Sequence, residues 1–175
     1  MFFIKELTHT ILLHPSYFGP RMVEYLEHKL MSDVEGTCSG KFGYIICVLT
    51  VTDVGAGIVL PGNGQAEFIA RYRAIVFKPF KGEVLEGVWL VKSIRCAWQM
   101  GFFAEVGPLN VFVSNHLIGT DFKFDPNSTP PAWTSTDQLI EKNSHVRMKI
   151  VGTRVDATEI FAIGTIKEDH LGVID

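Results

Sequence analysis

Histidine, cysteine and carboxylate side chains could hold a metal ion or perform acid–base chemistry, but in this chain they are scattered. Six histidines and three cysteines occur without any C-x-x-C or H-x-x-x-H spacing, whereas a structural zinc site draws its ligands from such short spacings. The only adjacent carboxylates, Glu168 and Asp169, lie in a terminal segment where solvated charge is the ordinary case. We therefore expect no catalytic residue, no metal and no cofactor, and binding becomes the default function.

A glycine-rich segment at residues 55–64 is the next candidate for chemistry. Its four glycines are not followed by Gly-Lys-Ser/Thr or by a helix pattern, so they do not predict a phosphate-binding loop. The same segment carries Ile58, Val59 and Leu60, apolar residues that a solvated loop seldom exposes. We interpret it as a turn-rich loop with an apolar tip.

Aromatic residues on two consecutive predicted strands, 101–106 and 110–114, are a stronger binding signal. Because side chains alternate along a strand, one ring of the Phe102–Phe103 pair faces the core and the other faces out beside Phe112. Exposed rings on the face of a small barrel stack single-stranded bases. The alternative, that all of these rings belong to the core, stays open at this point.

Charge limits the kind of nucleic acid that the chain would bind. The net charge is −3, and neither half is basic: residues 1–80 carry 7 basic and 7 acidic side chains, and residues 81–175 carry 9 and 12. This disfavours a duplex-binding protein. Arg147 and Lys149 share one face of a predicted strand, where they either accompany a phosphate backbone or form an ordinary solvated surface.

The elements that position these residues fall into two halves. The first half reads as a strand, a helix and two long β-rich runs at 43–52 and 65–80. The helix is predicted by an apolar stripe with four-residue spacing, Phe18, Met22, Leu26, Leu30 and Val34. Pro20 marks its first turn and Gly36 its end. One helix on a small sheet follows from this pattern.

The second half reads as five short strands, at 82–91, 101–106, 110–114, 145–153 and 159–165. Five strands that close on themselves form the OB barrel. Between the third and the fourth lies a proline-rich excursion, residues 121–143, and loops of this length are usually functional or disordered. The run from Pro79 to Gly82 is the predicted boundary, which divides the chain into residues 1–80 and 81–175.

The composition predicts a folded protein of the nucleocytoplasmic space. Of the 175 residues, 47% are apolar and 20% are charged, which is a globular balance and excludes disorder over most of the chain. The longest apolar run, residues 44–49, is too short for a membrane helix, and the N-terminus has no signal-peptide pattern. Three widely spaced cysteines fit buried thiols in a reducing compartment.

Motifs along the whole chain resemble those of one family. They are LHPSYFGP at 13–20, DVEGTC at 33–38, VFKPFKGEV at 76–84, KIVGTR at 149–154, FAIG at 161–164 and KEDHLG at 167–172. Together they resemble the larger, OB-domain stalk subunit of eukaryotic RNA polymerase II, which has a relative in the archaeal polymerase. The alternatives are the equivalent subunit of polymerase III or I, or a free-standing OB-fold RNA-binding factor.

The resemblance implies a truncated RNP-like tip domain over residues 1–80, with one main helix on a small antiparallel sheet. It implies an OB-fold RNA-binding domain of the ribosomal S-one type over residues 81–175. It further implies a non-catalytic subunit that pairs with a smaller helical stalk subunit, docks beside the polymerase clamp, supports initiation and binds nascent single-stranded RNA near the exit channel. Such a subunit works in the nucleus, with shuttling to the cytoplasm left open.

The resemblance also assigns RNA-binding positions. In ribosomal-type OB domains the RNA face uses an aromatic residue in a Gly-x-Phe segment, a histidine in the next strand, and an aspartate and an arginine near the fourth and fifth strands. Phe103 matches the aromatic residue, Phe112 stands at the histidine position, and Asp156 matches the acid. The arginine position falls near Thr158 and Glu159, where this chain departs from the pattern. We expect a weaker site than that of a dedicated RNA binder.

The same resemblance gives the apolar loop tip a role. We expect Ile58, Val59 and Leu60 to insert into an apolar pocket of the polymerase core. One segment, residues 89–98, is about five residues longer than the family pattern leads us to expect. It is either a bulged strand, a longer hairpin loop or a misannotated stretch of the gene.

Overall fold

The chain folds as two compact units. The computed structural model describes residues 1–90, 100–119, 122–125, 132–135, 139–141 and 143–174. The N-terminal unit is Met1–Lys78 and the C-terminal unit is Pro79–Asp175. The assignment of domains to residues 1–80 and 81–175 stays a prediction. Most of the segment that is longer than the family pattern, residues 91–98, lies outside the described residues.

The N-terminal unit is built on an antiparallel sheet. Its strands are β1 (Phe2–Leu13), β2 (Cys38–Ser39), β3 (Gly43–Val54), β4 (Ile58–Val59) and β5 (Ala66–Phe77). They lie in the order β1-β5-β3-β2, with β4 also paired to β5. β1 and β5 pair along their whole length, while three register shifts interrupt the pairing of β3 with β5. The central strand is therefore β5.

One helix, α1 (Met22–Val34), covers one face of this sheet and confirms the predicted helix-on-sheet unit. Its buried residues are Leu26, Leu30 and Val34. They pack with the alternating inward residues of β5 in one core, which includes Phe68, Ala70, Tyr72, Ala74 and Val76. Each fully buried leucine contributes about 1.5–3 kcal/mol by leaving water. Burial also raises the pKa of the Tyr72 phenol above its ordinary value of 10.0.

The two ends of α1 differ in how well the sequence predicts them. The helix begins at Met22 and not at Pro20, because a 3-10 turn at Pro15–Tyr17 and an extended Phe18 precede it. Phe18 is consequently exposed and lies outside the helix. At the other end, Gly36 follows the cap residue with a φ of 76°, a left-handed conformation that glycine adopts at little cost. The predicted stop is confirmed.

The C-terminal unit is a closed barrel with one appended sheet. Its elements are β6 (Val84–Leu90), β7 (Gly101–Val106), β8 (Leu109–Ser114), α2 (Asn115–Ile118), β9 (Lys123–Asp125), β10 (Ala132–Thr134), β11 (Leu139–Ile140), β12 (His145–Val155), β13 (Ile160–Thr165) and β14 (Gly172–Ile174). The order β13-β8-β7-β6-β12 closes through a further pairing of β12 with β13. This confirms the five-stranded barrel of OB type, and β14 extends one edge of β12.

Alternating residues of these strands fill the barrel. The largest buried side chains include Leu109, Val111, Met148, Ile150 and Ile160. The small antiparallel sheet β11-β10-β9 lies within the excursion at 121–143, where the sequence predicts a long loop. Trp133 and Phe124 are cross-strand partners there, with ring centroids 5.3 Å apart. An aromatic pair of this kind stabilises even short strands. The expectation of a long loop at 121–143 is therefore corrected, because described residues of this segment form a small sheet.

In the part of the chain that the structure describes, no helix has the length and apolar character needed to cross a membrane.

Candidate nucleic-acid interface

The outer face of β7 and β8 carries two packed phenylalanine rings. Phe103 and Phe112 are cross-strand partners, their ring centroids are 4.9 Å apart, and the ring planes are inclined by 47°. Both side chains are half-buried. Phe102 points the other way and is only 3% exposed. The open choice between the two rings at 102 and 103 is thereby resolved, since Phe103 faces out and Phe102 belongs to the core.

A tight hairpin fixes this arrangement. β7 and β8 are joined by the two residues Gly107 and Pro108, and Val106 pairs with Leu109 across the turn. Gly107 has a φ of 57°, which a two-residue hairpin turn requires and glycine supplies most easily. Buried and outward residues alternate strictly along β8 and in the middle of β7, from Phe102 to Glu105, which places their outward side chains on one surface.

β13 extends this surface with two residues that sequence reasoning missed. β13 runs parallel to β8, with Phe161 beside Asn110 and Ile163 beside Phe112. Phe161 is 46% exposed and Ile163 is 47% exposed. We call Phe103, Phe112, Phe161 and Ile163 the ring face. The alternation Ile160-Phe161-Ala162-Ile163 could have identified the two outward residues, but only barrel closure shows that they lie next to Phe112.

The two predicted phosphate-binding cations are already paired with carboxylates. Arg147 donates from Nε and Nη2 to Glu86 Oε1, at 3.0 Å and 2.7 Å. Lys149 Nζ donates to both carboxylate oxygens of Glu168 at 2.8 Å. Surface ion pairs of this type contribute about 0–1 kcal/mol, so a phosphate would be able to compete. It would nevertheless have to displace a carboxylate at each position.

Arg147 also lies at a distance from the phenylalanine pair. Along β6, Glu86 is four residues from Leu90, whose backbone pairs with Phe103. At about 3.3 Å per residue this places the Arg147 pair roughly 13 Å from the rings. The structure therefore brings Phe103 and Phe112 together but does not place Arg147 beside them.

Asp156, the predicted acidic member of the site, stabilises a turn. Its backbone N–H donates to the carbonyl oxygen of Glu159 at 2.9 Å. Its side-chain Oδ1 accepts from the backbone N–H of Ala157 at 2.7 Å. The residue is exposed in the connection between β12 and β13. One of its carboxylate oxygens thus has a local structural role, and its contact with RNA stays a prediction.

The predicted docking residues lie in the N-terminal unit on a short, hydrogen-bonded strand. Ile58 and Val59 form β4, which pairs with β5 at Glu67 and Ala66. Their side chains are 63% and 60% exposed. Leu60 is half-buried, and its backbone N–H donates to the carbonyl oxygen of Gln65 at 2.8 Å. The segment is therefore less of a free loop than its glycines indicate, and two apolar side chains stand in solvent on a supported edge.

The described residues do not form a metal-binding cluster. Among those residues, no group of three or more histidine, cysteine, aspartate or glutamate side chains is close enough to hold an ion. The candidate interface of the C-terminal unit is a surface of rings, with the ion pair of Arg147 and Glu86 at some distance from Phe103 and Phe112. Such a surface is suited to the stacking of bases.

A helix-on-sheet unit followed by an OB-type barrel places this chain among two-domain, β-rich proteins with an N-terminal SHS2 domain. The family model described as "SHS2 domain found in N terminus of Rpb7p/Rpc25p/MJ0397" matches residues 8–64. The chain belongs to the family of RNA polymerase II subunit Rpb7. It is 60% identical over 175 residues to "DNA-directed RNA polymerase II subunit rpb7" of Schizosaccharomyces pombe, covering 99% of each chain.

Two further relatives show how far the similarity extends. "DNA-directed RNA polymerase II subunit RPB7" of Saccharomyces cerevisiae is 51% identical over 176 residues, which is 99% of this chain and 100% of the relative. "DNA-directed RNA polymerase V subunit 7" of Arabidopsis thaliana is 27% identical over 135 residues, or 75% of this chain. The similarity to the polymerase II proteins is therefore both higher and more complete.

Proposed function

We propose that this chain is a non-catalytic subunit of DNA-directed RNA polymerase II. In this role it forms the stalk heterodimer with the smaller helical stalk subunit, docks beside the clamp, supports initiation and contacts nascent single-stranded RNA near the exit channel. Its place of action is the nucleus. The observation that carries the proposal is the end-to-end similarity to polymerase II subunits, at 60% and 51% identity.

The ring face supports the proposed contact with single-stranded RNA. Bases of a single strand are unpaired and present their flat faces, and stacking on an aromatic side chain is worth about 1–3 kcal/mol per base. Phe103, Phe112 and Phe161 lie on three adjacent strands of one surface. Stacking reads no base edge, so the proposed selectivity is for single strands and not for sequence.

Electrostatics makes the proposed binding weak when the chain is free. Residues 81–175 carry 9 basic and 12 acidic side chains, and Arg147 and Lys149 are engaged by carboxylates. Free nucleic-acid binders draw much of their affinity from neutralised phosphates. A module tethered beside the exit channel would meet the transcript at high effective concentration, where stacking alone is sufficient. The proposed role is therefore that of a guide for the transcript.

The ring pair provides the test of this function. Replacing Phe103 and Phe112 together with alanine is expected to weaken binding of a fluorescein-labelled 16-nucleotide oligouridine about 30-fold, because two stacking surfaces worth about 1 kcal/mol each are lost. Fluorescence anisotropy on the complex of this chain with the smaller stalk subunit measures the change. A double substitution Phe2→Ala and Phe18→Ala, at exposed rings of the N-terminal unit, is the matched control.

Two results would reject the proposed RNA contact. One is tight, sequence-specific binding that survives the loss of both rings. The other is an equal loss of affinity in the control variant, since neither of its rings lies in the barrel unit. A free-standing RNA-binding factor would show the same effect of the ring substitutions, and co-fractionation with the largest polymerase subunits separates that alternative.

A further inference from the structure

The ring face has no arginine at the position where the family pattern has one, because that position falls near Thr158 and Glu159. We infer that Arg154, on β12, supplies the phosphate contact of this face from a different strand. The inference rests on the proposed RNA function and deepens it. It assigns a binding residue outside the RNA-face pattern of ribosomal-type OB domains, and it indicates on which side of the ring face the RNA backbone lies.

Register places Arg154 on the ring face. Arg154 pairs with Phe161 across the antiparallel strands β12 and β13, and Phe161 pairs with Asn110 on β8. Directly paired residues point to the same side of a sheet, with Cβ atoms about 4.5–5.5 Å apart. Arg154 and Phe161 are both exposed. The cation Arg154 thus lies beside the exposed ring of Phe161, on the neighbouring strand β12.

Unlike Arg147 and Lys149, Arg154 is also free to bind a phosphate. Among the described residues no carboxylate forms an ion pair with Arg154, whereas Arg147 and Lys149 each have one. A phosphate at Arg154 displaces nothing. The guanidinium group offers a planar set of donors that suits a phosphate oxygen pair, and it can lie on an aromatic face.

The same row of residues indicates on which side of the ring face the RNA backbone lies. Beyond Asn110 the next residue in register is Glu105 on β7, which is exposed. The row therefore runs from a cation on β12, across a ring, to a carboxylate on β7. Phosphates are attracted to the Arg154 end and repelled from the Glu105 end. The sugar-phosphate backbone accordingly passes Arg154 on the β12 side of Phe161, short of the exposed acids Asp156 and Glu159 in the hairpin turn, and the bases extend over Phe161 and Phe112.

A charge-matched pair of variants tests this assignment in the full chain. Arg154→Ala is expected to weaken binding of labelled 16-nucleotide oligouridine about fivefold at low salt and to reduce the slope of log affinity against log salt by about 0.7, the value for one phosphate contact on a single strand. Lys123→Ala removes the same net charge from β9, outside the ring face, and is expected to change affinity less than about twofold. Arg154→Lys keeps the charge and should keep the slope.

The outcomes separate this assignment from the proposed function. An equal loss in Arg154→Ala and Lys123→Ala, or an unchanged salt slope in Arg154→Ala, overturns the role of Arg154 while RNA binding itself stands. A wild-type chain that does not bind the oligouridine, alone or with the smaller subunit, overturns the RNA function and this assignment with it. A variant that unfolds at the same temperature as the wild type is folded. If alanine perturbs the hairpin, the salt slope of Arg154→Lys still tests whether the charge at this position contacts a phosphate.

Discussion

Replacing Val59 with aspartate is expected to release this chain from purified RNA polymerase II while leaving its heterodimer with the smaller stalk subunit intact. Val59 and its neighbour Ile58 are among the most exposed large apolar side chains of the N-terminal unit. Each contributes about 1.5–3 kcal/mol when it enters an apolar pocket. An aspartate would forfeit that gain and would also have to leave water, at a cost of several kcal/mol.

These two effects together are expected to lower affinity for the core at least 1000-fold, since about 4 kcal/mol is already three powers of ten. The loss is measured by the amount of this chain that co-purifies with the largest polymerase subunits, with mass spectrometry to identify them. The same measurement distinguishes polymerase II from polymerases I and III. Leu60, the third predicted docking residue, is half-buried, so aspartate there would disturb the unit as well as the contact.

A second valine in the same unit provides the control. Val23 is 53% exposed on α1 and lies in the first turn, where an acidic side chain is tolerated by the helix dipole. Val23→Asp therefore makes the same chemical change away from β4. Retention of the Val59→Asp chain on the polymerase would contradict the docking role of β4. So would equal release by both variants, which would indicate a general effect of charge on this unit.

The parts of the fold that the sequence predicts are those set by short-range periodicity. The stripe Leu26, Leu30 and Val34 predicts α1 because residues three and four apart share a helix face. Alternation predicts the barrel strands to within about two residues at most ends. The start of α1 is not predicted as closely, since a proline suits the first turn of a helix and a turn before the helix equally well.

The candidate site is harder to predict because it depends on contacts between distant parts of the chain. Phe103 and Phe112 are joined by a two-residue turn, so their pairing follows from local sequence. Phe161 reaches the same surface only through the parallel pairing of β13 with β8, about 50 residues apart. The partners of Arg147 and Lys149 are likewise remote in sequence, and no spacing rule indicates that a cation is already paired with a carboxylate.

Replacing Gly101 with alanine is expected to destabilise the barrel by at least about 3 kcal/mol, because a side chain at this position overlaps the partner strand. Gly101 pairs with Ser114 at one end of the β7–β8 ladder and has a φ of 148°. A Cβ atom there would overlap the carbonyl oxygen of Val113 and lie 2.7 Å from the Cα of Ser114. These are backbone atoms, so no side-chain rotation relieves the overlap.

Tryptophan fluorescence measures this loss selectively, because all three tryptophans lie in residues 81–175. In a unit of this size each kcal/mol lowers the midpoint of thermal unfolding by about 4–8 °C, which predicts a decrease of at least about 12 °C. Separation of β7 from β8 also removes the packing of Phe103 on Phe112. Binding of the oligouridine is therefore expected to fall together with the unfolding temperature.

Gly152 in β12 separates this effect from the general cost of replacing a glycine. A Cβ atom at Gly152 meets nothing within 4 Å, and its φ lies outside the left-handed range. Gly152→Ala is thus expected to change the midpoint by less than about 4 °C, or under 1 kcal/mol. Equal midpoints for the two variants would mean that β7 can move away from Val113 without loss of stability. The two rings would then owe their spacing to contacts other than the ladder that ends at Gly101.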